Sequence, residues 1–145
     1  ALDTATGKGL GQLLPWKARP AGLRFPAAAE KEPNNSRGEA QLVKLPATIE
    51  GAADRAGDVD WYAFDVQAGD EVGIHATAPA GSKIEAVLTL TDEAGQVLAE
   101  SLDGVLGYRA AKAGRLALRL RDREYRGGEG YSYRIDLGPV PVLTA

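Results

Sequence analysis

The chain has no cysteine, no methionine and one histidine, His75. Without cysteine there can be no disulfide, thiolate metal site or cysteine nucleophile. A lone histidine excludes histidine-rich zinc sites and most Ser-His-Asp arrangements. No apolar run approaches the ~20 residues of a membrane-spanning helix. An excess of either sign of charge is missing as well, with 17 Lys and Arg against 20 Asp and Glu. A net charge of −3 gives no argument for a nucleic-acid or membrane-surface partner. No Gly-x-Gly-x-x-Gly or Gly-Lys-Ser/Thr phosphate loop follows a strand pattern. Gly130-Tyr131-Ser132-Tyr133-Arg134 lacks the second glycine of a nucleophile elbow and reads as strand throughout. Carboxylates are plentiful, so counting alone leaves a glycosidase-type pair open, but no pattern sets two of them across a cleft. The missing methionine and the start at Ala1 lead us to expect a processed product or an excerpt of a longer polypeptide.

What is present is one domain's worth of chain: 145 residues, 44% hydrophobic and 26% charged. Residues 1–29 hold no period, broken by Gly7, Gly9, Gly11, Pro15, Pro20 and Pro26. Leu13, Leu14, Trp16, Leu23 and Phe25 are too many apolar residues for a free linker, so this stretch is expected to be an irregular arm or the tail of a preceding domain. Short strands follow, over Gln41–Leu45, Thr48–Gly51, Val59–Val66, Glu71–Thr77, Ile84–Thr91, Gln96–Glu100, Leu106–Ala111, Arg115–Arg121 and Tyr131–Leu137. Ser36–Gln41 has room for one helical turn. Turn residues at regular intervals and no long helical pattern predict an antiparallel jelly-roll β-sandwich of about eight or nine strands. Residues 140–145 would begin a linker to a following domain.

The strand Val59–Val66 organises this pattern. Its alternation sets Tyr62, Phe64 and Val66 on one face and Trp61, Ala63 and Asp65 on the other. Asp58 and Asp60 stand at its start, while Glu30, Glu32, Asn34 and Asn35 lie in an upstream loop. Four carboxylates and two amides, completed by backbone oxygens, reach the six to eight oxygen ligands of calcium. From spacing alone, turn capping by the aspartates and solvation of the glutamates are the better reading.

A resemblance bears on that choice. The run Glu30-x-Glu32-Pro33-Asn34-Asn35, then Thr48-Ile49-x-Gly51, then Gly57-Asp58-x-Asp60-Trp61-Tyr62-x-Phe64 resembles the bacterial pre-peptidase C-terminal domain family. It continues through Ala68-Gly69-Asp70, Leu90-Thr91-Asp92-x-x-Gly95 and Tyr131-x-Tyr133, covering residues 30–139. The family is similar to the collagen-binding domains of collagenases. The resemblance implies a jelly-roll sandwich borne by secreted multidomain proteins, often peptidases. It also implies calcium held by Glu30, Glu32, Asn34 and Asn35 from the leading segment and by Asp58 and Asp60 from the sandwich. Asn35 departs from a frequent aspartate, Ser101-Leu102-Asp103-Gly104 from an Asp-rich turn, and Gly114-Arg115 from a glycine-aromatic pair.

Two further surfaces carry expectations. Trp61, Tyr108 and Tyr125 would form a platform for a sugar or an extended peptide, unless the leading arm covers Trp61 through Trp16 or Phe25. Arg115, Arg119, Arg121 and Arg123 would be a solvated outer strand face, or a site for an acidic polymer. Together these readings predict a noncatalytic accessory domain of an exported bacterial protein: secreted, periplasmic or at the cell surface. Its partners would be other domains of the same polypeptide and, in the alternative, an extracellular polysaccharide or collagen-like peptide.

Overall fold

The computed structural model describes residues 25–139 and two short paired strands outside them. The strands are β1 (Gln12–Leu13), β2 (Ala27–Ala29), β3 (Gln41–Leu42), β4 (Ala47–Ala52), β5 (Val59–Val66) and β6 (Glu71–Thr77). They continue as β7 (Ala86–Thr91), β8 (Val97–Ser101), β9 (Val105–Arg109), β10 (Gly114–Asp122), β11 (Ser132–Pro139) and β12 (Val142–Leu143). Two five-stranded sheets result, ordered β9-β6-β11-β4-β2 and β3-β5-β10-β7-β8, while β1 pairs only with β12. The expected β-sandwich is therefore present.

The inner faces follow the period-two alternation of the sequence. Tyr62, Phe64, Val66, Leu88, Leu90, Leu116, Leu118 and Leu120 from one sheet meet Ile49, Val72, Ile74, Tyr133, Ile135 and Leu137 from the other, all buried. Alternation forces this arrangement, since a register slip of one residue would send the whole set to water. The predicted helical turn is a 3₁₀ turn at Arg37–Glu39.

The expectation departs from the structure at the edges. The sheets are not purely antiparallel, because β2 runs parallel to β4 and β3 parallel to β5. β3 is the first two residues of the strand expected over Gln41–Leu45, whereas the three-residue β2 was not expected and carries the sandwich to ten strands, past the eight or nine expected. β2 also lies within the stretch read as an irregular arm. Phe25 packs at the same sheet: a Cβ built on Gly138 would sit 3.0 Å from its Cζ. It is thus placed on the sheet that does not contain Trp61. Trp16 and the proposed linker at residues 140–145 lie outside the described residues, apart from the strand pair.

Candidate metal centre

The inner face of β5 begins with Asp60, whose side chain enters the space between the sheets, 1% exposed. A carboxylate among apolar residues needs partners. The Tyr133 hydroxyl donates to Asp60 Oδ2 at 2.6 Å, and the hydroxyls of Tyr62 and Tyr133 lie 2.5 Å apart. Because Tyr133 spends its proton on Asp60, Tyr62 is the donor to Tyr133. One buried chain therefore runs from the core to the mouth of the sandwich.

The leading segment closes over that mouth. Leaving β2, the Glu30 amide donates to the Glu50 carbonyl at 3.1 Å, and Glu30 Oε1 accepts from the Ala52 amide at 3.0 Å. Gly51 makes this approach possible: a Cβ there would lie 2.7 Å from both Glu30 Oε1 and the Tyr133 hydroxyl. Gln41 holds the segment from its other side, accepting from the Lys31 amide at 2.7 Å and donating to the Ala29 carbonyl at 3.0 Å. The Trp61 amide donates to the Asn34 carbonyl at 2.8 Å. Backbone bonds thus fasten the acidic segment beside β5.

The result is two carboxylate groups that share Glu32. One is Glu30, Glu32 and Asp60; the other is Glu32, Asp54 and Asp58, with oxygens in each within 4.8 Å of one another. Oxygens on opposite sides of a calcium ion lie about 4.8 Å apart, twice a bond of ~2.4 Å, so each group fits around such an ion. Asn34 is fully buried; its Nδ2 donates to Glu30 Oε2 at 3.2 Å, but its Oδ1 has no hydrogen-bond partner. Asp60 Oδ1 is likewise buried and unpartnered. Asn35 places its amide 3.2 Å from Asp58 Oδ1 and 3.3 Å from Glu32 Oε1. With nitrogen turned inward it donates to both; with oxygen inward it adds a ligand to Glu32, Asp54 and Asp58, the orientation a cation selects.

Gathered negative charge shifts the acids. Burial first, then the facing Glu30, pushes Asp60 up to about 9, although the Tyr133 bond opposes the shift. Loss of water around its carboxyl, with Glu30, Asp58 and Asp54 nearby, pushes Glu32 up to about 7. Asp58 is raised chiefly by burial, against the lowering effect of the Asp54 amide, which donates to it at 3.1 Å. Without a cation the centre therefore retains protons that ordinary carboxylates release.

All six residues singled out in the sequence, Glu30, Glu32, Asn34, Asn35, Asp58 and Asp60, are brought to this mouth. Asp54 was missed. Its signal was the spacing Asp54-x-x-x-Asp58-x-Asp60 in the loop between β4 and β5. That loop is braced by the turn after β10: the Gly128 amide donates to the Ala53 carbonyl and the Gly57 amide to the Tyr125 carbonyl, each at 2.8 Å. The brace in turn depends on buried Asp122, which accepts from the amides of Glu85, Glu124 and Arg126 and from the Arg126 guanidinium. Those donors hold its carboxyl well below the usual range.

The aromatic platform is not assembled. Trp61 lies on the outer face of its sheet and Tyr125 in the turn after β10, but Tyr108 belongs to β9 of the other sheet and packs against the core. Tyr108 instead lines a cavity of about 360 Å³ with Leu98, Ala110 and Leu116.

These features define a class: a β-sandwich with an oxygen-rich centre where its leading segment meets the mouth. Its fold is that of the pre-peptidase C-terminal domain of collagenase from Bacillus anthracis, with a TM-score of 0.54 and 18% identity over 79% of this chain and 99% of that one. The chain is also similar to PliG of Aeromonas hydrophila, a periplasmic inhibitor of g-type lysozyme, with a TM-score of 0.55 and 13% identity over 70% of this chain and 97% of that one. At such identities the likeness is one of fold. No protein-family profile and no curated protein matches the sequence.

Proposed function

We propose that the chain is a noncatalytic accessory domain of an exported bacterial multidomain protein, serving attachment, targeting or stabilisation. In this reading a calcium ion clasps its leading acidic segment to the sandwich. One observation carries the metal reading: the buried, unpartnered oxygens Asn34 Oδ1 and Asp60 Oδ1 sit within a cluster of five carboxylates. Unsatisfied buried oxygens are rare in folded proteins, and a hard cation satisfies several at once. Glu30, Glu32, Asn34, Asn35, Asp54, Asp58 and Asp60 would supply ligands, and the ion would supply the positive charge that the cluster lacks.

The accessory role is supported by the two fold neighbours, one a domain of a collagenase and the other a periplasmic inhibitor. They also support a location outside the cytoplasm. Among the described residues no helix is long and apolar enough to cross a membrane.

Calorimetric titration of chelator-treated protein with Ca²⁺ tests the metal reading. Saturable heat is expected, with a raised melting temperature that Asp58→Ala abolishes. No heat and no shift at millimolar calcium would overturn it. Broad hydrolase assays that detect turnover would refute the noncatalytic reading.

A further inference from the structure

The outer face of β10 bears Arg115, Arg119 and Arg121, with Arg123 just beyond the strand. Arg115 Nε donates to Asp65 at 2.8 Å and Arg123 Nε lies 4.0 Å from Glu85. Arg119 and Arg121 differ. Neither makes an ion pair among the described residues. Both are half-buried, and the Nε of each is buried without a hydrogen-bond partner. Glu100, across from Thr89 on the neighbouring strand, accepts from Thr89 Oγ1 at 2.9 Å and so approaches Arg119 through that shared hydroxyl without forming an ion pair with it.

Both are nevertheless held in place. Arg119 Nη2 donates to Thr89 Oγ1 at 3.1 Å, and its guanidinium lies 6.0 Å from the Trp61 ring centroid. Arg121 Nη1 donates to the Asp122 and Arg123 carbonyls, each at 3.0 Å, and stacks 4.3 Å from the Tyr125 ring centroid. Tyr125 is itself fixed by amide and carbonyl bonds to Asp122 and Gly57. Residues two apart on a strand project from one face about 6.6 Å apart. Two preset cationic forks, each beside an aromatic ring, therefore stand side by side. Little side-chain entropy remains to be lost on binding.

We propose that this face binds an acidic polysaccharide whose pyranose rings carry carboxylates. Charge complementarity selects the anion, because a guanidinium fork matches a carboxylate bidentately. The position of β10 selects the glycan over an acidic peptide. Extended peptides are commonly captured by main-chain pairing at a sheet edge. β10 is the central strand, bonded on both sides by β5 and β7, so only side chains are on offer. Rings with carboxylates suit a surface made of ring faces and forks. This inference does not depend on the calcium reading.

The test is affinity electrophoresis through gels containing polygalacturonate, with neutral dextran and poly-L-glutamate as comparators. All runs contain EDTA, which excludes bridging by calcium. Polygalacturonate is expected to retard the wild-type chain and dextran to leave it unaffected. Arg119→Gln and Arg121→Gln should each weaken retardation, together by about tenfold or more, while Arg115→Gln should not. Arg119→Lys, keeping charge but not the fork, should fall between wild type and Arg119→Gln. The single variants carry the test should the double variant fail to melt cooperatively. No retardation by polygalacturonate, equal retardation of wild type and both single variants, or equal retardation by poly-L-glutamate would each overturn the proposal.

Discussion

Replacing Asp60 by Asn isolates the electrostatics of the centre. Asn keeps the shape and can still accept the Tyr133 hydroxyl, but it carries no charge at any pH. In the metal-free protein the Asp60 carboxyl is pushed up to about 9 by burial and by Glu30. A carboxyl whose folded pKa exceeds its unfolded value binds more protons in the folded state. Stability therefore falls as pH rises between the unfolded value near 4 and the folded value. Each pH unit in that window costs at most about 1.4 kcal/mol, so going from about pH 5 to about pH 8 costs at most about 4 kcal/mol. Water reaching the mouth will reduce this figure. Asp60→Asn removes the penalty. Urea unfolding in EDTA should show the variant gaining on wild type between those pH values. With calcium at about a hundred times its dissociation constant, wild type should recover about 2.7 kcal/mol that the variant does not. Parallel pH–stability curves for the two proteins in EDTA would refute the reasoning.

Gly51→Ala puts a methyl 2.7 Å from Glu30 Oε1 and the Tyr133 hydroxyl, so we expect about 1–3 kcal/mol of destabilisation by urea unfolding and weaker calcium binding by calorimetry. Asp122→Asn should cost about 3 kcal/mol and lower the melting temperature by about 10 °C, because it strips the charge that three amides and Arg126 converge on. Since the folded-state pKa of Asp122 is depressed, its contribution is full above the ordinary aspartate value and fades as pH falls below it. Acid titration of the melting temperature should therefore show wild type and Asp122→Asn converging below about pH 4. Arg115→Gln breaks an exposed pair with Asp65 and should leave the melting temperature unchanged within error.

The sandwich was legible because each long strand alternates cleanly. Tyr62, Phe64 and Val66, or Leu116, Leu118 and Leu120, announce an inner face without any knowledge of partners. What alternation cannot announce is a strand of two or three residues. Ala27–Ala29 is created by the neighbour it pairs with, Gln41–Leu42 keeps only the start of the strand expected over Gln41–Leu45, and the parallel direction of both follows from how the chain returns to the sheet edge. Nor does alternation say which strands share a sheet, so Tyr108 was grouped with Trp61 although they stand on different sheets. The centre was legible only in halves. Glu30–Asn35 and Asp58–Asp60 are far apart in sequence, and family resemblance rather than spacing put them together. Asp54, with no place in the quoted motif, had only its spacing from Asp58 and Asp60 as a signal, and the loop that folds back on Glu32 gives that spacing its meaning.

The central claim concerns one place: the gap enclosed by Glu30, Glu32, Asp54, Asp58 and Asp60. A crystal structure of the protein grown in calcium tests it most directly. We predict an electron-density peak within about 2.3–2.6 Å of carboxylate oxygens from both the leading segment and the loop before β5. The same side chains splayed into water, with no peak between them, would contradict it.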